Sequence, residues 1–339
     1  MIIDKDRVIN DLESGITIDN YKVEFKEAEK LKVVFMGTPS FAVPILEGLI
    51  NNYNVVLVVC QPDRKKNRKG DVIIPDTKRL ALDNNIPVFQ PLKVREEYQT
   101  ILDYNPDLIV TCAYGQFIPK EIIDYPKYGC INVHGSLLPK LRGGAPIHHA
   151  IINGDKVTGM TVMSMSEKMD AGDIISQSSL EIGEDEILDS LYERMSLLGA
   201  NLLLDTIPNI IDGTAKYFPQ NEEEVTFGLN ITKEEEKIDF NKTVVEIKNR
   251  VRGLNSVPGA YIVLEDKRMK VYKVMVDDND YKKGEIGEIV AVTDDAMVVK
   301  CLDGYVKILE IALEGKKRCL VKDYFNGVKK ESLVGKVFM

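Results

Sequence analysis

The chain has 339 residues, of which 44% are hydrophobic and 29% are charged, a composition that is ordinary for a globular protein and predicts about two domains. Its net charge of −9 argues against a general nucleic-acid binder. No apolar run approaches the ~20 residues that span a bilayer, and the acidic first residues resemble no secretory signal, so we expect a cytoplasmic protein that makes no membrane contact. We also expect a monomer.

Short apolar runs alternate with helix-like segments over residues 31–134. The predicted strands lie at 32–36, 55–60, 86–89, 107–112 and 130–134, and the predicted helices lie near 41–51, 95–103 and 119–124. Strands of this length separated by helical segments are typical of βαβ units and a mostly parallel sheet, so the fold class is α/β. We then predict a helix at 146–153, a strand at 158–165 and a helix at 186–211, which Pro208 ends or kinks.

The chain changes character after residue 211. Residues 212–231 are polar and contain Gly and Pro, so we place a linker there between a catalytic domain at 31–211 and a second domain at 232–339. In the second domain a helix precedes short β-rich runs at roughly 8–12-residue spacing, which predicts a small all-β barrel or sandwich. Residues 1–30 follow neither pattern, and we expect either one added edge strand or a flexible acidic extension.

The distribution of charge and the spacing of the cysteines indicate which kinds of site the chain can carry. Residues 232–339 carry 21 Lys and Arg against 19 Asp and Glu, so the C-terminal third is the relatively basic part of an acidic chain. Neither metal-ligand nor redox spacing relates the five cysteines, so we expect reduced core thiols and no metal site. The cysteines are Cys60, Cys112, Cys130, Cys301 and Cys319.

One strand end carries the polar residues on which the functional prediction depends. Successive side chains of a strand point to opposite faces, so Asn132 and His134 lie on the same side, just before a loop that begins at Gly135. Open α/β folds place their chemistry at such carboxyl strand ends. Asp170 follows a later strand and precedes the turn at Gly172, from which a carboxylate can reach back to an imidazole.

These three side chains suit an attack on a carbonyl carbon. The amide of Asn132 can donate to an oxygen that becomes negative, His134 can donate or relay a proton, and Asp170 can fix the imidazole tautomer. None of the three is a convincing nucleophile in this setting. We interpret His148 and His149, on the helix that Pro146 opens, as surface or packing residues.

Six motifs carry a resemblance to a known family. INVHGSLLPKLRGGAPI and TGMTVMSMSEKMDAGDI are similar to the formyltransferases that use 10-formyltetrahydrofolate, and MGTPSFAVPIL, QPDR, AYGQFIPK and RGLNSVPGA narrow the resemblance to members that formylate methionyl-tRNA. The resemblance runs from about residue 31 to the C-terminus. It implies a Rossmann-like catalytic domain followed by an OB-like barrel, with Asn132, His134 and Asp170 as the catalytic set. The implied reaction moves a formyl group from 10-formyltetrahydrofolate to the α-amino group of methionine on initiator tRNA.

The resemblance also suggests contacts for the two substrates. For the folate these are Ala113, Tyr114, Gly115, Gln116, Phe117 and Ile118 at the pterin, and Ser136, Leu137, Leu138 and Pro139 at the formyl end. Phe117 and Leu138 could equally be packing residues. For phosphates of the tRNA they are Arg64, Lys65, Lys66, Arg68 and Lys69 after QPDR, and Lys267, Arg268, Lys316, Lys317 and Arg318 on the barrel. Lys-Gly-Asp follows Arg68 where the family usually has a Gly-Lys-Lys-like run, which leaves the role of Arg68 open.

Three other functions fit parts of the sequence. A nicotinamide enzyme would explain a strand followed by Gly37, but the G-x-G-x-x-G glycines are missing there. Related formyltransferases act on an amino sugar nucleotide, a glycinamide nucleotide or water, whereas the basic loop and the added barrel favour a large anionic acceptor. A non-catalytic RNA-binding protein would leave Asn132, His134 and Asp170 without a role.

Overall fold

The computed structural model describes residues 31–65, 72–281 and 284–338. In the first half of the chain the strands are β1 Lys32–Gly37, β2 Asn54–Val59, β3 Arg64–Lys65, β4 Val72–Ile73, β5 Val88–Phe89, β6 Leu108–Cys112, β7 Cys130–His134, β8 Val157–Ser164 and β9 Ile174–Glu181. The helices there are α1 Val43–Asn52, α2 Asp76–Asp83, α3 Val94–Glu97, α4 Gln99–Leu102, α5 Lys120–Ile123, α6 Pro146–Ile152 and α7 Leu188–Ile211. The predicted extension at 1–30 lies outside the described residues.

A mostly parallel sheet organises this half. Among the described residues it has seven strands in the order β5-β2-β1-β6-β7-β8-β9. The pairs from β5 to β7 are parallel, while β8 runs antiparallel to β7 and β9 antiparallel to β8. Strands β1 and β6 are almost fully buried because helices cover both faces of such a sheet. The carboxyl ends of β6 and β7 therefore lie side by side at one edge of the core.

Three local features differ from the sequence-based predictions. Residues 94–102 form two short helices joined at Tyr98, whose carbonyl accepts both a tight bond from Ile101 N and a longer one from Leu102 N. Strand β9 was not predicted, because Ser176, Gln177 and their neighbours give it a polar, half-exposed character. Helix α7 continues through Pro208 to Ile211, so this proline does not end the helix, and Ile207 and Ile210 on either side of it stay buried.

The second half is an all-antiparallel β structure. Its elements are α8 Val244–Gly253, β10 Ala260–Leu264, β11 Lys267–Asp277, β12 Ile289–Val292, β13 Met297–Lys300, β14 Tyr305–Leu313, β15 Cys319–Leu320 and α9 Val321–Tyr324. The strand order is β10-β11-β14-β13-β12, with β15 added on β14. Ile262, Val271 and Ile308 of these strands share one hydrophobic core with Val251 of α8. The predicted fold class, a mostly parallel sheet followed by a small all-β domain, is confirmed.

Helix α8 also connects the two halves. A capping box of Thr243 and Glu246 begins this helix, and its last residue, Gly253, lies against α6. A Cβ atom on Gly253 would approach Ile152 Cγ1 to 2.7 Å, so this contact requires glycine.

Within the described residues, no helix combines the length and the apolar character needed to cross a membrane. The predicted domain boundaries stay predictions.

Candidate active site

Asn132 lies at the carboxyl end of β7, directly opposite Thr111 of β6. The buried Thr111 hydroxyl donates to Asn132 Oδ1 at 2.8 Å. This bond fixes the oxygen end of the amide against β6. The NH₂ end has no hydrogen-bond partner among the residues that the structure describes, and Asn132 lines a cavity. Two amide donors are therefore available to a ligand in that cavity.

His134 is fixed two residues further along the same strand. Its ring is 6% exposed, and its Nε2 atom lies 3.1 Å from the carbonyl oxygen of Leu141. Because a carbonyl oxygen can only accept, Nε2 carries a proton and donates it. The Nδ1 atom lies 3.7 Å from Asp170 Oδ1, which is ion-pair distance but longer than a hydrogen bond. Nδ1 is thus the nitrogen left for proton exchange.

Asp170 reaches this position from the loop between β8 and β9. Its backbone has a φ of +49°, in the left-handed region that aspartate tolerates better than most residues. Asp170 Oδ2 accepts a hydrogen bond of 2.8 Å from Gly143 N, which anchors the carboxylate while Oδ1 faces the imidazole. Gly143 has a φ of +129°, and a Cβ atom there would lie 2.7 Å from Gly228 O. The structure therefore brings Asn132, His134 and Asp170 together.

A cavity of about 400 Å³ adjoins these three residues, a volume within the usual range for small-molecule sites. Ala113, Tyr114, Gly115, Gln116, Phe117 and Ile118, the loop predicted to hold the pterin, all line it. Phe117 is 67% exposed, so it is not a core packing residue. The loop is held from behind, because Gln116 Oε1 accepts from Val94 N at 2.8 Å and Gln61 Nε2 donates to Tyr114 O at 3.0 Å.

Ser136, Leu137, Leu138 and Pro139 are not among the residues that line the cavity. Ser136 is buried, and its hydroxyl donates to Lys140 O at 2.6 Å. Leu138 is 3% exposed and packs in the core. A folate contact for these four residues stays a prediction.

The two remaining histidines differ from each other. His148 is half-buried and lines the cavity, and burial lowers its pKa. His149 Nε2 lies 2.9 Å from Leu229 O, so this side chain connects α6 to the predicted linker. Sequence reasoning gave His148 no place at the site, because nothing in a short helix indicates which of two adjacent histidines faces a cavity.

Sequence reasoning also missed several residues that support the site. Thr111 had a weak signal, as the polar residue within an apolar strand. Leu141 contributes only its carbonyl group, which no sequence pattern reveals. Gln220 and Thr226 lie 50 or more positions beyond Asp170 and contact its surroundings only through tertiary folding.

The predicted tRNA contacts after QPDR are described only in part. Arg64 is exposed and pairs with Ile73 in the short β3–β4 hairpin, to which Lys65 also belongs. Lys66, Arg68 and Lys69 lie outside the described residues. Asp63, just before the hairpin, accepts from Lys78 Nζ at 2.8 Å and thereby fixes its base.

The predicted basic residues on the second domain divide into two groups. Arg268 is ion-paired with Glu236 at 2.8 Å, and Arg318 donates to Glu310 Oε2 at 2.7 Å. Both guanidinium groups also lie over tyrosine rings, which holds them in place. Lys267, Lys316 and Lys317 are exposed and make no ion pair within the described part of the chain. These three lysines are the more accessible cations.

Comparisons with known proteins agree with this architecture. Residues 30–207 match the family model described as formyl transferase, and residues 230–329 match that of the formyl transferase C-terminal domain. Curated methionyl-tRNA formyltransferases of Bacillus thuringiensis subsp. konkukian and of Bacillus cereus strain G9842 are each 50% identical to the chain over 308 residues, or 89% of this chain and 97% of theirs.

Solved structures share the fold at lower identity. The sugar 3N-formyl transferase WlaRD, solved in the presence of dTDP and 5-N-formyl-THF, aligns over 82% of this chain and 97% of its own with a TM-score of 0.61 and 21% identity. HypX from Aquifex aeolicus, in complex with tetrahydrofolic acid, aligns over 88% of this chain and 47% of its own with a TM-score of 0.59 and 17% identity. With both family models matched in order along its length, this chain belongs to the formyl transferase family.

Proposed function

We propose that this protein transfers the formyl group of 10-formyltetrahydrofolate to the α-amino group of methionine esterified to initiator tRNA. The observation that carries the proposal is the grouping of Asn132, His134 and Asp170 beside one cavity, in a chain that is 50% identical to curated methionyl-tRNA formyltransferases over most of its length. Sugar-modifying relatives share only the fold, at about half that identity or less, and so do not favour a sugar acceptor.

The acceptor nitrogen needs little activation. An α-amino group has a reference pKa of about 8, so a substantial fraction is unprotonated at neutral pH. Its attack on the formyl carbon forms one C–N bond and leaves a negative oxygen, and the C–N10 bond then breaks as N10 takes a proton. Stabilising the oxygen therefore matters more than generating the nucleophile.

The side chains have distinct tasks in this reaction. The Asn132 amide, held at its oxygen end by Thr111, donates to the developing oxyanion. His134 already uses its Nε2 proton on Leu141, so a protonated Nδ1 is the group that meets the oxyanion and delivers a proton to the leaving nitrogen. Asp170 stabilises that protonated ring across 3.7 Å and accepts the proton of the attacking amine through a water.

The cavity suits the folate as formyl donor. Its wall combines the exposed ring of Phe117 with the free amide of Asn132, that is, an apolar surface for a flat heterocycle beside a donor for a carbonyl oxygen. The backbone of the 113–118 loop, held by Gln61 and Gln116, would flank the pterin. The bound folate supplies the activated formyl group.

An acceptor panel tests the proposal. The purified protein is incubated with 10-formyltetrahydrofolate and, in separate reactions, initiator methionyl-tRNA, elongator methionyl-tRNA, free methionine or an amino sugar nucleotide, and formyl product is quantified by mass spectrometry. We expect transfer to initiator methionyl-tRNA to exceed all other reactions, including hydrolysis of the folate. Faster transfer to the sugar nucleotide, or faster hydrolysis, would exclude the proposed acceptor.

A further inference from the structure

A segment of the predicted linker runs alongside the proposed catalytic residues. We name residues 220–228 the strap. Its backbone pairs with the loop after β7: Arg142 N donates to Thr226 O at 2.9 Å, Gly228 N donates to Arg142 O at 2.8 Å, and Ala145 N donates to Gly228 O at 2.8 Å. The strap is therefore an extra strand-like support for residues 142–145. The sequence predicts only that it is part of a linker between domains.

Gln220 joins the two loops that flank the proposed site. Its Nε2 atom donates to Asp170 O at 2.8 Å and to Gly172 O at 2.7 Å. Its Oε1 atom accepts from Arg142 Nε at 3.0 Å and from Arg142 Nη2 at 2.8 Å. The Gln220 amide thus uses both of its donor hydrogens on the Asp170 loop and both acceptor positions of its oxygen on Arg142. Arg142 itself is buried. One side chain therefore links the backbone of Asp170 to the guanidinium group of Arg142, the residue before Gly143.

Thr226 supports the backbone segment that holds His134. Its hydroxyl oxygen accepts from Leu141 N at 2.9 Å. Leu141 has a φ of +59°, a left-handed conformation that is unfavourable for leucine and needs support from its surroundings. The carbonyl of this same residue receives the Nε2 proton of His134. The orientation of the imidazole therefore depends on a backbone conformation that Thr226 stabilises.

We propose that Gln220 and Thr226 are positioning residues for formyl transfer, Gln220 through the Asp170 loop and Thr226 through Leu141 and His134. This inference rests on the proposed function. Displacing a reacting group by about 1 Å can lower a rate by about 100-fold. His134 Nδ1 and Asp170 Oδ1 are 3.7 Å apart. The backbone of Asp170 and that of Leu141, which holds His134, both bond to the strap. The next residues of the linker reach Ile231, which packs on the core of the second domain.

Kinetics of matched variants test this role. For Gln220→Ala we expect kcat to fall about 10- to 100-fold, with KM for both substrates within about threefold of wild type, because the loss is in geometry and not in binding. Asn221→Ala is the control, since among the residues that the structure describes its side-chain amide bonds only to Glu223 and Glu224, and its kcat should stay within about twofold. A kcat for Gln220→Ala equal to that of the control would overturn the proposal.

Conservative replacement separates positioning from general support. Thr226→Val removes the oxygen that Leu141 N needs, whereas Thr226→Ser retains it, so kcat should fall for valine and recover for serine. A double-mutant cycle adds a second criterion. If Gln220 acts through Asp170, then Gln220→Ala should cost much less in an Asp170→Asn background than in wild type. Fully additive losses, or equal losses for valine and serine, would contradict the assignment.

Hydrogen exchange provides a readout that does not require activity. The Gly143 amide is protected by Asp170 Oδ2, so Gln220→Ala should accelerate exchange in peptides covering 141–145, while Asn221→Ala should not. Unchanged exchange in Gln220→Ala would refute the strap even if the enzyme is active. A wild-type protein that formylates no tRNA would refute the proposed function, and the exchange data would still decide whether the strap holds the two loops.

Discussion

Truncation of the Asn132 side chain should separate catalysis from stability. In Asn132→Ala the amide that points into the cavity disappears, together with the bond from Thr111. Loss of one oxyanion donor typically lowers kcat by about 10² to 10³, or about 3–4 kcal/mol of barrier. The structural loss is smaller, because the Thr111 hydroxyl can still donate to Ile131 O at 3.3 Å, so we expect a cost of about 1 kcal/mol in the free energy of unfolding.

Two assays measure these quantities on the same preparation. Steady-state formylation of initiator methionyl-tRNA gives kcat and KM, and urea unfolding gives the free energy of unfolding. Asn132→Asp is an informative companion, because it preserves the shape but brings a negative charge to the developing oxyanion, and it should be at least as slow as the alanine variant. If Asn132→Ala retained turnover within about fivefold of wild type, the amide would not be the oxyanion donor.

Three further outcomes follow from the structure. Replacing Lys316 and Lys317 by alanine should weaken tRNA binding and lower the slope of log binding constant against log salt concentration by about 2. The free energy of unfolding in urea should change by no more than about 0.5 kcal/mol. Filter binding over a salt series measures the slope, and an unchanged slope would show that these lysines do not contact the tRNA. Burial raises the pKa of Cys60 to about 11, so a thiol reagent at pH 8 should label the half-buried Cys319 first, and mass spectrometry showing early Cys60 labelling would contradict this. Burial lowers the pKa of His148 below its ordinary 6.5, so as pH falls the unfolded chain takes up the proton first. The free energy of unfolding should therefore fall as pH drops below about 6.5. His148→Gln should flatten that dependence in urea titrations at pH 5 to 7, and an unchanged curve would contradict this role of His148.

The parallel sheet and the strand end that carries the proposed catalytic residues were predictable because their signals are local. Apolar runs such as Leu108–Cys112 identify buried strands, and the period of two in a strand places Asn132 and His134 on one side without any tertiary information. Asp170 required only that a later strand end nearby. The resemblance of the long motifs to formyltransferases then connected these residues to a reaction.

The support of the site was not predictable for physical reasons. Gln220 and Thr226 are polar residues in a polar linker, and their bonds to Asp170 and Leu141 depend on where the chain returns after α7. The nitrogen of His134 that remains available depends on the carbonyl of Leu141, whose backbone conformation has no side-chain signature. Ser136 and Leu138 lie within the motif, but they are buried and do not line the cavity. A motif does not reveal the direction in which a loop turns, so their folate contact stays a prediction.

Single-turnover formylation by Asp170→Asn tests the central claim most directly. The asparagine oxygen can still accept from Gly143 N, so the loop stays in place while the charge beside His134 is removed. With saturating 10-formyltetrahydrofolate and initiator methionyl-tRNA, we expect the transfer rate to fall by about 100-fold or more while both substrates still bind. Transfer at the wild-type rate would contradict the proposed cooperation of Asn132, His134 and Asp170.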